Sequence, residues 1–375
     1  MEGLIVREVS SKHDVNAFIR FLWKIYKNYP AWVPPLMMDR KKLMDREKNP
    51  FYAHSDAEFF LAEHEGEVLG RIAAIVNHNH NKEHEENIGF FGFFECINDQ
   101  SVANALFDKA KEYLSAHGVT AMRGPFNPSV NDEIGLLIEG FDLSPTLMMT
   151  YNPPYYAGLI EKYGFKKVKD LYAYLLDQRT VYTDRFNRAY ELVKKRQNIT
   201  FRTFDMKHFK DEVEKVKELY NKAWYRNWSA VPMTDEEFDA LGADLKMIIV
   251  PELVIVAEKD GKPIGFALSL PDINMALKYN KNGYFLPGLY HLLTKKKKIN
   301  LVRIITLGVL PEYLSTGAGG ALFYQTAINA KKLGYEFGEA SWILEDNDRM
   351  TKSAEAMQGK ITKRYRIYEI GLDYK

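Results

Sequence analysis

The chain has 375 residues, 46% hydrophobic and 27% charged, and its 51 basic and 50 acidic side chains leave a net charge of +1. This composition excludes a disordered chain, and the balanced charge gives no bulk attraction to nucleic acid, so we expect no nucleic-acid partner. The length predicts two domains. A single cysteine, the lack of a signal-peptide pattern and the lack of about 20 consecutive apolar residues predict a cytoplasmic protein without internal disulfides or a transmembrane segment.

Both halves of the chain predict the same order of elements. An opening strand leads to helical patterning and then to a strand hairpin; a further strand, an amphipathic helix, a strand, a short helix and a last strand follow. The two hairpins match in sequence, because "EHEGEVLGRIAAI" at 63–75 and "EKDGKPIGFALSL" at 258–270 place both of their glycines 195 residues apart. The last strands also repeat, with Gly164 and Gly359 at the same offset.

The central helices repeat at a different offset. "ALFDKAKEYLSAHG" at 105–118 parallels "ALFYQTAINAKKLG" at 321–334, which lies 216 residues later. The second half therefore carries 21 additional residues before this helix, and the first half carries 21 additional residues after it. Self-similarity of this kind indicates a tandem repeat of one α/β unit, with predicted domains at 1–178 and 199–375 and a partly helical bridge between them.

A glycine-rich turn distinguishes the second half from the first. In "GVLPEYLSTGAGGALF" (308–323) a predicted strand reaches a proline, then three glycines within four residues, and then a helix. The first N–H groups of a helix lack internal acceptors and carry partial positive charge, so a pyrophosphate suits this position when glycines leave its approach clear. The equivalent "FECINDQSVANALF" has no glycine, and we expect no pyrophosphate site there. A turn without a ligand is the alternative interpretation.

The order of elements and this turn resemble the GCN5-related N-acetyltransferase (GNAT) superfamily. In that family the fourth strand ends in a V-x-P segment and continues into Q/R-x-x-G-x-G/A. Here Val309 and Pro311 precede the glycines, and Leu314 replaces the usual Gln or Arg. The resemblance implies an α/β (α+β) fold of two tandem GNAT-like acyl-CoA N-acyltransferase domains, each with a mixed central sheet flanked by helices.

The resemblance also implies the co-substrate and the reaction. Acetyl-CoA or a longer acyl-CoA is the expected donor, without a metal, and an amine attacks its thioester directly with no acyl-enzyme. A backbone N–H at Val309 or its neighbour would polarise the thioester carbonyl. The implied cofactor-binding residues of the second domain are Val309, Leu314, Ser315, Thr316, Gly317, Ala318, Gly319 and Gly320.

Proton transfer has several candidate residues. Many relatives use a tyrosine four residues before a glycine, and at that offset from Gly359 this sequence has Glu355. Tyr365 and Tyr368 are substitutes near the end of the chain, and Asn347 matches the asparagine that closes the family's fifth strand. We therefore take Asn347, Tyr365, Tyr368 and Glu355 as catalytic candidates, while packing or solvent-facing roles for the tyrosines stay open.

Two further segments raise the question of a ligand. His78, His80 and His84 lie in a hydrophilic stretch, where a solvated loop is favoured over a metal site because no cysteine or second histidine group accompanies them. Residues 284–298 join an apolar, aromatic stretch to four consecutive lysines. This pairing suits a flap over the 3′-phosphate of CoA, or peripheral membrane contact through an interfacial patch on anionic lipid.

These features predict an acyl-CoA-dependent N-acyltransferase that acts on a primary amine. The aromatic content of 13%, the apolar inserted stretch and the lysines of 284–298 favour a small-molecule or lipid-like acceptor, such as a long-chain base. A small acetyl group stays open as the group that is transferred. Because Leu314 and Glu355 depart from the family pattern, a non-catalytic acyl-CoA or lipid-binding protein is an alternative. An aminoacyl-tRNA-dependent transferase is another, because tandem GNAT-like domains occur in that group, and the net charge argues against it.

Overall fold

The protein repeats one arrangement of strands and helices along its length, in a computed structural model that describes residues 1, 3–224 and 227–372. The first repeat contains β1 (Ile5–Glu8), α1 (Lys12–Ile25), α2 (Met37–Met44), β2 (Ser55–His64), β3 (Glu67–Asn77), α3 (His78–His84), β4 (Ile88–Cys96), α4 (Gln100–Ala116), β5 (Ala121–Gly124), β6 (Phe126–Asn127), β7 (Glu133–Ile134), β8 (Leu136–Glu139), α5 (Tyr156–Tyr163) and β9 (Lys166–Asp177). The bridge and the second repeat contain α6 (Gln178–Val181), α7 (Asp184–Gln197), β10 (Ile199–Thr203), α8 (Phe209–Trp224), α9 (Asp235–Leu245), β11 (Val254–Lys259), β12 (Lys262–Pro271), α10 (Asn274–Leu277), α11 (Phe285–Lys295), β13 (Leu301–Val309), α12 (Ala318–Lys332), β14 (Phe337–Leu344), α13 (Asp348–Ala356) and β15 (Lys360–Gly371). Each half has the predicted order of elements. None of the helices in the described parts of the chain is long and apolar enough to cross a membrane.

Two compact units divide the chain, and neither is one contiguous half. The first unit comprises Met1–Leu171, Ala276–Thr294 and the chain from Lys363 onward, and the second comprises Tyr172–Met275 and Lys295–Thr362. The predicted boundaries, 1–178 and 199–375, describe the sequence repeats, whereas compact packing follows this other division. Most of the residues added before the central helix of the second half therefore pack in the first unit.

A mixed sheet forms the centre of the first unit. β1, β2, β3 and β4 are antiparallel neighbours, β4 runs parallel to β5, and β15 pairs antiparallel with both β5 and β8. β4 is buried along its whole length, which explains why its sequence is a continuous apolar run rather than an alternating one. α4 packs in the same core through an apolar stripe formed by Val102, Leu106, Phe107, Ala110 and Leu114.

The second unit repeats that sheet. β10, β11, β12 and β13 are antiparallel neighbours, and β13 runs parallel to β14. The β2–β3 and β11–β12 hairpins turn on equivalent residues, Glu65–Gly66 and Asp260–Gly261, whose φ angles are 50° and 80° in the first and 50° and 74° in the second. Positive φ at both central residues is typical of a type I′ turn. The sequence repeat at an offset of 195 is therefore also a repeat of backbone conformation.

In both repeats an arginine on the opening strand binds two carboxylates, one on the helix that follows this strand and one on the hairpin. The groups are Arg7, Asp14 and Glu63 in the first repeat and Arg202, Glu212 and Glu258 in the second. The distances from Nε to the hairpin glutamate and from Nη2 to the helix carboxylate lie between 2.7 and 3.1 Å. The two arginines are 195 residues apart, and so are the two hairpin glutamates, so the repeat extends to side-chain pairing.

Candidate active site

Two parallel strands of the second unit are hydrogen-bonded over only part of their length. The β13–β14 register ends where Ile304 lies opposite Ala340. β13 continues to Val309 and β14 to Leu344, and within the described chain no further pair joins them. The strands therefore part toward their carboxyl ends, the edge at which ligands bind in α/β sheets, and leave part of the β13 backbone open.

The open part of β13 directs N–H groups toward this gap. On the other side of the strand, the Leu310 N–H donates to the Ile264 carbonyl at 2.9 Å, continuing the pairing with β12. Because successive residues of a strand point their N–H groups to opposite edges, the N–H groups of Leu307 and Val309 face away from β12. The register with β12 slips at Ile305, a β-bulge that bends the strand. The two N–H groups are suited to bind a carbonyl oxygen.

α12 begins at a glycine turn that leaves its N-terminus clear. Gly317, the residue before the helix, has a φ of +82°, a conformation that favours glycine, and forms no side-chain cap. A Cβ built on Gly320 would meet no atom within 4 Å, and one on Gly319 would meet only atoms at 3.8 Å or more. An anion can therefore approach the N–H groups of Gly319 and Gly320 in the first turn of α12, where the helix dipole favours negative charge.

The other predicted binding residues surround this turn. Leu314 and Ser315 are exposed on the 3₁₀ turn that precedes it. Thr316 Oγ1 donates to the Tyr313 carbonyl at 2.6 Å and accepts from the Ala318 N–H at 3.2 Å. Because the Thr316 proton is already in use within the turn, Ser315 is the better placed hydroxyl donor for a ligand.

In the first repeat the chain itself fills the corresponding gap between strands. β4 and β5 are paired over three residues only. Beyond that point the chain passes so close to β4 that a Cβ on Gly92 would lie 1.7 Å from the Phe126 carbonyl oxygen. The Phe93 N–H donates to Asn127 Oδ1 at 2.6 Å. An outward-facing N–H of β4 is therefore bound by a side chain of the same unit.

Cys96 occupies the position in β4 that Val309 occupies in β13, and two tyrosines bind the backbone groups of Cys96. Cys96 and Val309 each lie opposite the second glycine of the hairpin in their own repeat. The Cys96 N–H donates to the Tyr156 hydroxyl at 2.9 Å, and the Tyr155 hydroxyl donates to the Cys96 carbonyl at 2.7 Å. In the first repeat, internal side chains thus take the position that a ligand could take beside Val309.

Tyr156 belongs to a buried polar cluster around Glu95. Glu95 Oε2 accepts hydrogen bonds from the hydroxyls of Tyr26, at 2.8 Å, and Tyr156, at 2.7 Å. Arg71 Nη2 lies 3.6 Å from the other carboxylate oxygen. Burial raises the pKa of Glu95, and burial next to Glu95 raises the pKa of both tyrosines well above their usual value. Both hydroxyls therefore stay protonated and act as donors to Glu95.

α4 differs from α12 at its N-terminus. Asp99 caps α4, and its Oδ1 accepts from the Ser101 N–H at 2.8 Å and from the Val102 N–H at 3.4 Å. Hydrogen bonds from Ser101 lower the pKa of Asp99, so the carboxylate is charged at neutral pH. A negative side chain already occupies the position, and an incoming phosphate would be repelled.

Two of the four predicted catalytic residues lie at α13 of the second unit. Asn347 precedes the helix, and its Oδ1 accepts from the Met350 N–H at 3.2 Å, so its amide caps the helix. Glu355 is exposed in the last turn, and the Tyr174 hydroxyl donates to its Oε1 at 3.5 Å. Burial raises the pKa of Tyr174, which keeps a protonated hydroxyl beside the carboxylate.

The other two predicted catalytic residues lie on β15 in the first unit. Tyr365 is fully buried and is paired with Leu137 of β8. The Tyr368 hydroxyl donates to Glu161 Oε1 at 2.9 Å, and burial together with Glu161 raises the pKa of Tyr368. Burial and these partners give both tyrosines a packing role, which is the alternative that the sequence left open. A part in catalysis stays a prediction for both.

Sequence reasoning misses Tyr174 and the residues that fill the gap in the first repeat. Tyr174 and Glu355 are 181 residues apart, and Tyr156 and Cys96 are 60 apart, so no local motif joins either pair. The available signal is indirect. Once the first repeat lacks the glycine turn, its unused backbone donors must find partners within the chain, and the residues between α4 and β9 supply Asn127, Tyr155 and Tyr156.

The histidine-rich segment is a helix, and the predicted solvated loop is wrong. α3 begins after Asn77, whose side chain accepts from the His80 N–H at 3.0 Å. His80 is only 2% exposed, its Nε2 lies 2.9 Å from Glu86 Oε2, and burial lowers the pKa of His80 to about 4. Across residues 1, 3–224 and 227–372, no group of three or more His, Cys, Asp or Glu side chains is placed to hold a metal ion.

A small cavity lies in the second unit between α12, β13 and β14. Its volume is about 20 Å³, and its lining includes Ile304, Phe323, Ala327 and Gly338. That volume fits one water-sized group, so the cavity cannot hold an acyl chain as it stands.

Comparison with known proteins identifies the family. The profile of the Acetyltransferase (GNAT) family matches residues 213–359, which include β13, α12 and α13. The chain is 35% identical over 379 residues to "Bacterial ceramide synthase" of Caulobacter vibrioides, which covers 98% of this chain and 98% of that protein. It is 34% identical over 381 residues to "Protein YghO" of Escherichia coli, which covers 97% of this chain and 95% of that protein.

Solved structures show the same fold. A tandem GNAT protein from the clavulanic acid biosynthesis pathway superposes with a TM-score of 0.56 at 11% identity and covers 99% of both chains. A GCN5-related N-acetyltransferase from Sphaerobacter thermophilus has a TM-score of 0.55 at 13% identity and covers all of this chain and 97% of the other. These likenesses confirm the predicted α/β fold of two tandem GNAT-like domains. The relatives at 34–35% identity, which align with 97–98% of this chain, together with the family profile show that the chain belongs to the GNAT acetyltransferase family and is an acyltransferase.

Proposed function

We propose that the protein transfers an acyl group from acyl-CoA to the primary amine of a lipid-like acceptor, such as a long-chain base. The family supports acyl transfer, and the relative named Bacterial ceramide synthase supports a long-chain substrate because it aligns with 98% of this chain. One observation carries the proposal. The second repeat alone combines parted strands with a glycine turn at the start of its central helix.

The donor would bind along β13 and α12. Its pyrophosphate would accept hydrogen bonds from the N–H groups of Gly319 and Gly320, where the helix dipole favours an anion, and Ser315 could add a hydroxyl donor. Its pantetheine arm would run beside the open edge of β13. The thioester oxygen would then accept from the Val309 N–H, which faces the gap. This assignment is supported by the clear approach to both glycines.

The reaction would be a single displacement without an acyl-enzyme. The nitrogen of a neutral amine attacks the thioester carbon, a C–N bond forms, and the C–S bond then breaks. Negative charge develops on the carbonyl oxygen in the transition state, so a fixed N–H at Val309 stabilises it more than it stabilises the ground state. The amine loses a proton and the CoA thiolate gains one, which leaves two proton movements for side chains or water.

Glu355 is the first residue to test for these proton movements. It is an exposed carboxylate in the unit that contains the proposed donor site, and the neutral Tyr174 hydroxyl lies beside it. Asn347 has no titratable group and would act by positioning α13. Tyr365 and Tyr368 stay candidates, and they come after Glu355 because both side chains are buried.

Thiol release provides the test. The protein is incubated with a series of acyl-CoAs from acetyl to palmitoyl, with and without a long-chain base such as sphinganine, and the amide product is identified by mass spectrometry. We expect thiol release that requires both substrates and increases with acyl length. Turnover with small amines alone would contradict a lipid-like acceptor. Tight acyl-CoA binding with no thiol release from any amine would support the non-catalytic alternative that Leu314 and Glu355 suggest.

A further inference from the structure

α11 presents an apolar face to solvent. Leu286, Tyr290 and Leu293 are 73%, 62% and 73% exposed, and their spacing of four and three residues places them on one side of the helix. Phe285 and Leu289, 41% and 40% exposed, flank them. A surface helix normally turns its apolar side toward the core, so this helix has the opposite arrangement. A contiguous exposed apolar surface of this kind marks an interaction site.

Polar contacts within the first unit hold the segment before α11 in place. Trp23 Nε1 donates to the Lys281 carbonyl at 2.6 Å, and Arg20 Nη2 donates to the Tyr284 hydroxyl at 2.9 Å. The helix is buried at Gly288, where a Cβ would lie 2.9 Å from the nearest side-chain atoms. The outward direction of the apolar face is therefore fixed by packing on the other side of the helix.

The same stretch of chain is strongly basic. Residues 274–300 contain six lysines and no Asp or Glu, whereas the rest of the chain has 45 basic and 50 acidic residues. Lys295 is the last residue of α11, and Lys296–Lys298 form the turn that follows directly. Lysines next to an apolar helix face match an anionic lipid surface, which offers negative headgroups above a hydrocarbon interior.

We propose that α11 is a docking helix for anionic membranes, with its apolar face in the headgroup region and its lysines on anionic headgroups. A second copy of the chain is a poorer occupant, because residues 274–300 contain no Asp or Glu that could pair with the lysines of the same segment in the other copy. A flap over the 3′-phosphate of CoA would use the lysines but would leave the apolar face unexplained. Binding to lipid needs neither acyl-CoA nor acceptor, so this inference stands or fails independently of the proposed reaction.

Vesicle flotation tests the apolar face. The full chain is mixed with phosphatidylcholine vesicles that contain about 30% phosphatidylglycerol, at low salt where lysine attraction is strongest. The double variant Leu286→Glu/Leu293→Glu should bind at least about tenfold more weakly, because two leucines no longer leave water. The control is Ile5→Glu, a single apolar-to-acidic change at a residue 63% exposed on β1, which should bind like wild type, while each single variant, Leu286→Glu or Leu293→Glu, should already bind more weakly. Equal binding by the double variant and Ile5→Glu would overturn the proposal.

Charge removal tests the lysines separately. The double variant Lys296→Gln/Lys297→Gln should bind anionic vesicles more weakly, by about fivefold for each lysine removed. Its binding to neutral vesicles should equal that of wild type. The control Lys195→Gln/Arg196→Gln removes the same charge from exposed residues of α7. Equal binding of wild type to neutral and anionic vesicles contradicts the proposal. So does a wild-type dimer in sedimentation without lipid that Leu286→Glu disperses, since a second copy would then cover the face.

Discussion

The two repeats use the same backbone positions differently. Beside Cys96 in the first repeat, tyrosine hydroxyls bind the backbone of the strand, whereas in the second repeat Val309 lies beyond the point at which the pairing of the parallel strands ends. At the central helices, the Asp99 carboxylate occupies the N-terminus of one and Gly317 clears the N-terminus of the other. Buried backbone donors must have partners, and in the first repeat side chains of the same unit supply them.

The largest expected effect concerns a position at which only the second repeat has a titratable group. Glu355 lies four residues before Gly359, and its counterpart before Gly164 is the buried Ile160. Glu355→Gln should lower kcat at least about a hundredfold and leave KM for acyl-CoA nearly unchanged, because it removes proton transfer rather than binding. Steady-state thiol release measures both constants. The control is Lys352→Gln, on the exposed side of the same helix. An unchanged kcat in Glu355→Gln would show that other groups transfer the proton.

A carboxylate at α12 should make the second repeat resemble the first. Gly320→Glu places a negative charge near the first turn of the helix without a steric conflict, because a Cβ there meets no atom within 4 Å. Repulsion of the pyrophosphate should weaken acyl-CoA binding about thirtyfold, or about 2 kcal/mol at a separation of a few ångströms. Isothermal titration measures this, with Gly320→Ala as the uncharged control. Equal affinity in the Glu and Ala variants would place the pyrophosphate elsewhere.

Removing a tyrosine hydroxyl should affect stability but not binding. Tyr156→Phe deletes the acceptor of the Cys96 N–H and one donor to Glu95, all of them buried. The free energy of unfolding should fall by about 1–3 kcal/mol, the range for leaving buried polar groups unsatisfied. Urea denaturation measures the loss, and acyl-CoA affinity at low urea should equal that of wild type. A large loss of affinity instead would mean that the first repeat contributes to donor binding.

The smallest expected effect is that of the helix cap. Asp99→Ala should lower the free energy of unfolding by about 1 kcal/mol at neutral pH. Because hydrogen bonds lower the pKa of Asp99 in the folded state, this stabilisation is present above the usual carboxyl pKa near 4 and is lost as pH falls through the lower folded pKa. Unfolding curves of wild type and variant should therefore converge in acid. A constant difference at all pH values would indicate that packing, not charge, explains the cap.

Local patterns made the fold and the glycine turn predictable from sequence. The hairpin glycines sit at positions that need positive φ, and the apolar spacing of the central helices reflects the face they bury, so both signals lie within short windows. The turn at Gly317 is predictable for the same reason, since few other residues adopt its conformation. The acyltransferase family follows from that combination and is confirmed by the full-length relatives.

Pairings between distant residues could not be predicted. The Phe93 N–H and Asn127 are 34 residues apart, and Tyr174 and Glu355 are 181 apart. Their contacts depend on strand register and on the path of loops, neither of which composition determines. The helix at His80 was missed because a hydrophilic sequence hides a side chain that is buried with Glu86 as its partner.

The burial of Cys96 has a practical consequence for thiol chemistry. Its side chain is fully buried, and burial raises the pKa of the thiol to about 12, so the nucleophilic thiolate is scarce at neutral pH. Because it is the single cysteine of the chain, a colorimetric thiol reagent added during turnover should count released CoA with almost no background from folded protein. A cysteine introduced at Leu293 would then be the sole reactive thiol, available for a polarity-sensitive dye that reports on the surroundings of α11.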